Sequence, residues 1–180
     1  MAATWDWEAD NGAATGSPPK GTTRTTGMSD NNWKNIDDSS TVYSASPIQA
    51  GANSFERWIF GKFSGSYNMV LSGLWTHTLT SFGTGLTLKG KVAPSGGYTT
   101  PAVAANSNLT IDMTAPISIA SGQTVLFGAT GPEVAQGTNT ASITTNPAYT
   151  QWLTSQLQTT VSAVPGDTAQ VTMTMQYQEN

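Results

Sequence analysis

The sequence predicts an all-β protein, a two-sheet β-sandwich or jelly-roll-like domain with an extended N-terminal arm. Three observations carry this expectation. From residue 41 onward, short apolar or alternating runs are separated by clusters of Gly, Pro, Asn and Ser, the pattern of strands joined by turns. Where the alternation is clean it has period two, which sends apolar side chains to one sheet face and polar ones to the other. Residues 1–40 are rich in Gly, Pro, Thr, Asn and Asp and read as aperiodic, so they are assigned to the arm and 41–180 to the sandwich. A chain of 180 residues is expected to form one domain with a core of its own.

The elements follow in order. "TVYSASPI" predicts a strand over 41–48, and "QAGAN" a turn. "SFERWIFGKF" predicts a strand over 54–63, with Phe55, Ile59 and Phe63 on one parity and Glu56, Trp58 and Phe60 on the other. "YNMVLSGLWTH" over 67–77 and "GLTLKGKV" over 85–92 continue the sheet; in the latter, Leu86, Leu88 and Val92 alternate with Lys89 and Lys91. Shorter strands are expected near 108–113, 116–119 and 123–129. "NPAYTQWLTSQLQTT" is ambiguous, because Asn146 and Pro147 could cap a helix on which Tyr149, Trp152, Leu153 and Leu157 share a face. A strand over 152–162 is favoured, since it could form a hairpin with 168–178 across the "VPGD" turn. In "QVTMTMQYQ", Val171, Met173, Met175 and Tyr177 alternate without a break against Thr172, Thr174, Gln176 and Gln178.

Composition narrows the function. Only 10% of residues are charged, against about 25% in ordinary soluble domains. Solubility rests on neutral polar groups, which suits a surface covered by neighbours. The net charge is −4 and no Lys or Arg follows Lys91, so the C-terminal half cannot neutralise a phosphate backbone and nucleic acid is not an expected partner. No apolar run reaches the roughly 20 residues of a membrane span, and the acidic start "MAATWDWEAD" is unlike a secretion signal. The absence of Cys removes disulfides, thiolate metal sites and thiol nucleophiles.

Chemistry-bearing motifs are sparse. His77 is the sole histidine and has no partner motif, so a structural or surface role is expected. Asp30, Asp37 and Asp38 lack the spacing of a calcium loop. Glu56, Asp112, Glu133, Asp167 and Glu179 are isolated, and "GTG" at 83–85 and "SGG" at 95–97 read as hairpin turns. No catalytic residue, cofactor or metal is expected. Trp58, Trp75 and Trp152 lie in strand-like runs and read as core, with a sugar platform on Trp58, Trp75 or Tyr98 as the competing reading. Glu56, Arg57 and Lys62 are expected to face solvent or another subunit. The arm carries Trp5, Trp7 and Trp33 among polar residues, together with Arg24. Large rings are costly to leave in water, so these four are the candidate partner-binding residues, docking on another molecule or folding back over their own domain.

Several segments together resemble virion proteins of tailed bacteriophages: "WDWEADNGA" with "GTTRTT", then "NWKNIDD", "YSASPIQAGANSFERW", "KFSGSYN", "GLTLKGKVA" with "YTTPA", and finally "QLQTT" with "PGDTAQVTMTMQYQEN". The resemblance covers most of the chain and implies a virion component made in the host cytoplasm. On it, the expected function is a non-enzymatic capsid decoration or cement protein bound to the major capsid protein or other virion subunits. A tail or neck protein and a carbohydrate-binding adhesin are the alternatives. A homo-oligomer is expected, with trimers natural at the threefold positions of a shell.

Overall fold

The computed structural model describes residues 2–77, 82–92, 97–114, 117–119, 127–128, 132, 142–164 and 172–180. Twelve strands are found among them: β1 (Ala3–Thr15), β2 (Lys20–Thr25), β3 (Arg57–Gly65), β4 (Val70–His77), β5 (Leu86–Val92), β6 (Ile111–Asp112), β7 (Ile117–Ile119), β8 (Phe127–Gly128), β9 (Ser142–Ile143), β10 (Ala148–Thr150), β11 (Leu153–Thr159) and β12 (Met173–Glu179). They form two antiparallel sheets. The larger runs β2-β1-β3-β11-β5-β6, with β10 bridging β3 and β8; the smaller runs β12-β4-β7, with β9 also on β4. The predicted all-β, two-sheet class is what the chain adopts.

Between the sheets lies an apolar layer. Its large-sheet side presents Trp5, Trp7 and Ala9 of β1, Ile59 and Phe63 of β3, Leu153 and Leu157 of β11, and Leu88 and Val92 of β5. These are cross-strand partners on one parity: Trp5 faces Phe63, Ala9 faces Ile59, Leu153 faces both Ile59 and Val92, and Leu157 faces Leu88. The small sheet answers with Val70 of β4 and Met173, Met175 and Tyr177 of β12, the last ring lying 4.6 Å from Phe63 and 6.4 Å from Trp5. Two glycines on this parity make room. A Cβ on Gly61 would lie 1.6 Å from the Trp5 ring, and one on Gly90 2.3 Å from the Met113 sulfur.

The segment expected as an arm is part of this structure. Its first strand is extended, but β1 is an interior strand, paired to β2 on one side and to β3 on the other along an unbroken register from Ala3↔Gly65 to Asp10↔Trp58. Of the two dispositions expected for the arm, the structure has it folded back on its own domain. After β2, residues 31–41 reach the Arg57 end of the large sheet, where Asn31, Asp38 and Ser39 bond to Arg57 and Trp33 bonds to Ser155.

Other expectations need correction. No strand forms over 41–48: Tyr43–Ala45 is a 3₁₀ turn. There Asp38 accepts the Thr41 N–H and hydroxyl while Lys34 takes the Thr41 carbonyl, local bonds that compete with a ladder, and Pro47 lacks a donor. Residues 153–159 are strand, as favoured over helix, yet β11 makes no hairpin with β12. Both edges of β11 are occupied, by β3 and β5, so the chain crosses to the other sheet, where β12 pairs with β4. Glu56 and Arg57, expected at exposed positions, are buried. Most of the strand expected over 123–129, with Val171, Glu133 and Asp167, lies outside the described residues.

Candidate functional site

The outer face of the large sheet is also buried, which is why both parities of β3 are apolar or large. Trp58, Phe60, Trp152 and Tyr98 form a second cluster there, with ring centroids of Trp58, Tyr98 and Trp152 5.0–5.7 Å apart. At its centre Asp10 is fully buried. Its carboxylate accepts two bonds of 2.8 Å from the Arg24 guanidinium and one of 3.2 Å from Trp152 Nε1. Arg24 also stacks 4.7 Å over the Phe60 ring. A buried carboxylate is tolerable only when its lone pairs are met in this way. Beside it the buried Glu8 faces Lys62 at 3.6 Å; burial raises its pKa, with Lys62 and Arg24 opposing.

Loops are tied onto this face by polar side chains. Gln156 is buried, donates from Nε2 to the carbonyls of Ser54, Ala102 and Ala104, and accepts the Asn106 N–H. Asn106 Nδ2 donates to Glu56, and the Tyr98 hydroxyl donates to the Gly12 carbonyl at 2.7 Å. Burial, with Asp37 and Asp10 nearby, pushes the Tyr98 phenol far above its usual range, so it stays a donor.

At the Arg57 end of the inner face a polar lid replaces the apolar layer. Arg57 donates to Asn31 Oδ1 (3.2 Å), the Asp38 carbonyl (2.7 Å) and Ser39 Oγ (3.1 Å). Burial lowers its pKa, while Asp37 and Asp38 hold it up. Lys34, also buried, binds Asp38 at 2.8 Å and the Thr41 carbonyl at 2.7 Å. Burial works against the charged Asp38 carboxyl, but the bonds from Lys34 and Thr41 prevail and hold it well below the usual range. Asp37 accepts from Asn11 Nδ2 and the Gly12 N–H. Both aspartates thus close protein loops, and among the described residues no three His, Cys, Asp or Glu gather as a metal centre.

The structure separates the four candidate partner-binding residues. Trp5 stacks edge-on to Trp7 and against Phe63 and Tyr177 in the inter-sheet layer. Trp33 donates to Ser155 Oγ and meets the edge of Phe82. Arg24 lies on the opposite face with Asp10. Each of the three rings is partly buried within the chain. Sequence reasoning missed Asp10, Lys34 and Gln156 and misplaced Arg57; the partners of Lys34 are four and seven residues away, but Asp10 and Trp152 are 142 residues apart and Gln156 reaches Ala102 over 54.

His77 is buried on the inter-sheet face of β4, opposite Met173 and Ile117. Burial lowers its pKa below 6.5, with the Met113 backbone pulling the other way. The stability it contributes is therefore present above 6.5 and lost as pH falls through the folded-state value, because the unfolded chain takes the proton first. His77→Gln is expected to flatten this decline. Urea midpoints at a series of pH values check it, and an unchanged slope would refute it. Glu8, shifted upward, has the opposite sign but is common to both proteins, so it cancels in the comparison.

No protein-family model, curated protein or solved structure matches this chain. Among the described residues no helix is long and apolar enough to cross a membrane.

Proposed function

We propose that this chain is a non-enzymatic structural subunit of a tailed-bacteriophage particle, a decoration protein that binds the head shell and stabilises it mechanically. The observation that supports this best is where its charged and apolar groups sit. Buried Lys34, Arg57 and Asp10 tie loops and strands together, whereas large apolar side chains stand outward on tied loops: Val42 is 63% exposed and Tyr43 46%. A hydrophobic contact held in place before binding loses little conformational freedom on docking. Repeated over a lattice, many such contacts resist outward pressure by multivalency.

The test is the copy number of this chain in purified particles relative to the major capsid subunit, by quantitative mass spectrometry. A ratio near one, or a simple fraction of it, is expected. A handful of copies would place it in the neck or tail. Val42→Asp with Tyr43→Asp is expected to abolish binding to undecorated particles while leaving the far-UV circular dichroism unchanged; full binding by the variant would overturn the contact. The sugar-binding alternative has lost two platforms, because Trp58 and Tyr98 are about 1% exposed and offer no ring face.

A further inference from the structure

We infer that the free edge of β12 pairs with the β12 of a second copy, joining two molecules about a two-fold axis. β12 bonds to β4 along one side and, among the described residues, to nothing on the other. A free edge presents a row of N–H and C=O groups that another strand can satisfy, and proteins usually blunt such edges with charge, proline or shortness. Among the described residues, both outer strands of the large sheet's main path are blunted. β2 carries Lys20 and Arg24, and β6 has two residues, one of them Asp112 held by Lys89 at 2.9 Å. β12 has none of these devices: from Thr172 to Gln178 it is free of charge and proline in a chain of net charge −4.

Its partner must therefore be a strand that brings no charge to be neutralised, and β12 itself is such a strand. A two-fold axis through Met175 sets Thr174 opposite the second copy's Gln176 on the outer face. On the inner face it sets Met173 opposite Tyr177 and Met175 opposite itself. Polar meets polar and apolar meets apolar, the pairing that stabilises an antiparallel ladder. The half-buried Met173, Met175 and Tyr177 would gain cover along the seam of the sandwich. The strand is also held ready. Glu179 accepts the Ala3 N–H at 2.5 Å, and Asn180 exchanges backbone bonds with Met69. An isologous strand pair closes at two, so this contact gives a dimer and is independent of the virion reading.

The experiment is light scattering coupled to size exclusion on the full chain, wild type against Thr174→Lys with Gln176→Lys. Both residues are exposed, and the two-fold sets the new charges against one another. The wild type is expected at twice the 18.8 kDa chain mass and the double variant at that mass, with unchanged circular dichroism. A wild-type monomer or trimer, or a dimer indifferent to the lysines, overturns the proposal. Should the lysine variant misfold, Thr174→Cys with Gln176→Cys in this cysteine-free chain decides: mild oxidation is expected to give a covalent dimer, and its failure to do so overturns the pairing.

Discussion

A chain that begins at residue 41 is expected not to fold. Removing residues 1–40 takes away β1, which bonds to β3 along its whole first half, and with it Trp5 and Trp7 from the inter-sheet layer. Each lost core tryptophan costs about 3–5 kcal/mol, and a domain of ordinary stability has only about 5–15 kcal/mol in total. Exposing the edge of β3 adds a row of unpaired backbone groups beside a bared apolar face. The truncated chain should lose the sheet signal in far-UV circular dichroism and aggregate on expression. A soluble fragment with the full chain's dispersed amide spectrum would show that β1 is dispensable. Trp5→Ala gives the graded version, a fold retained but weaker by about 3 kcal/mol, since the ring is only partly buried.

Asp10→Ala is expected to be the most damaging single charge removal. The fully buried carboxylate meets both Arg24 and Trp152, so its loss strands the Trp152 N–H and removes the two charge-assisted bonds it accepts from the Arg24 guanidinium. Breaking a buried pair from one side costs about 3–5 kcal/mol. The lower end is expected here, because the Arg24 side chain retains 27% exposure and can recover some hydration. Asp10→Asn keeps the shape and an acceptor for Trp152 while removing the charge, so it should lose less than half as much. Urea midpoints of the three proteins measure this order. An alanine variant as stable as wild type would mean that the cluster of Trp58, Trp152 and Tyr98 holds the outer face without the ion pair.

The outer-face carboxylates belong to an alternation that is visible in the sequence. Trp5, Trp7 and Ala9 alternate with Asp6, Glu8 and Asp10, a period of two that marks a strand. The glycines and prolines of residues 12–21 obscured it, since they lower the average signal of the whole segment. Even the correct period would have assigned Glu8 and Asp10 to solvent. The structure buries them because the loop carrying Tyr98, Ala102 and Asn106 lies over that face. The same covering explains Glu56, whereas Arg57, on the inner face, is buried by the segment carrying Asn31, Asp38 and Ser39. Alternation tells which residues share a face, and it is silent on whether a loop distant in sequence will cover that face.

The sequence by itself determined the all-β class and placed β3, β4, β5, β11 and the described length of β12 within a few residues, because period two and turn composition are local properties of the chain. It also determined the cysteine-free, weakly charged character that makes solubility depend on Thr, Ser, Asn and Gln. Only the tertiary structure decided that β1 is interior, that β11 and β12 part into different sheets, and that the scattered charges Asp10 and Arg57 become anchors. Those outcomes depend on which edges are already occupied and which faces a loop covers. Both are set by contacts between residues far apart in the chain, whose entropy of closure no local pattern encodes.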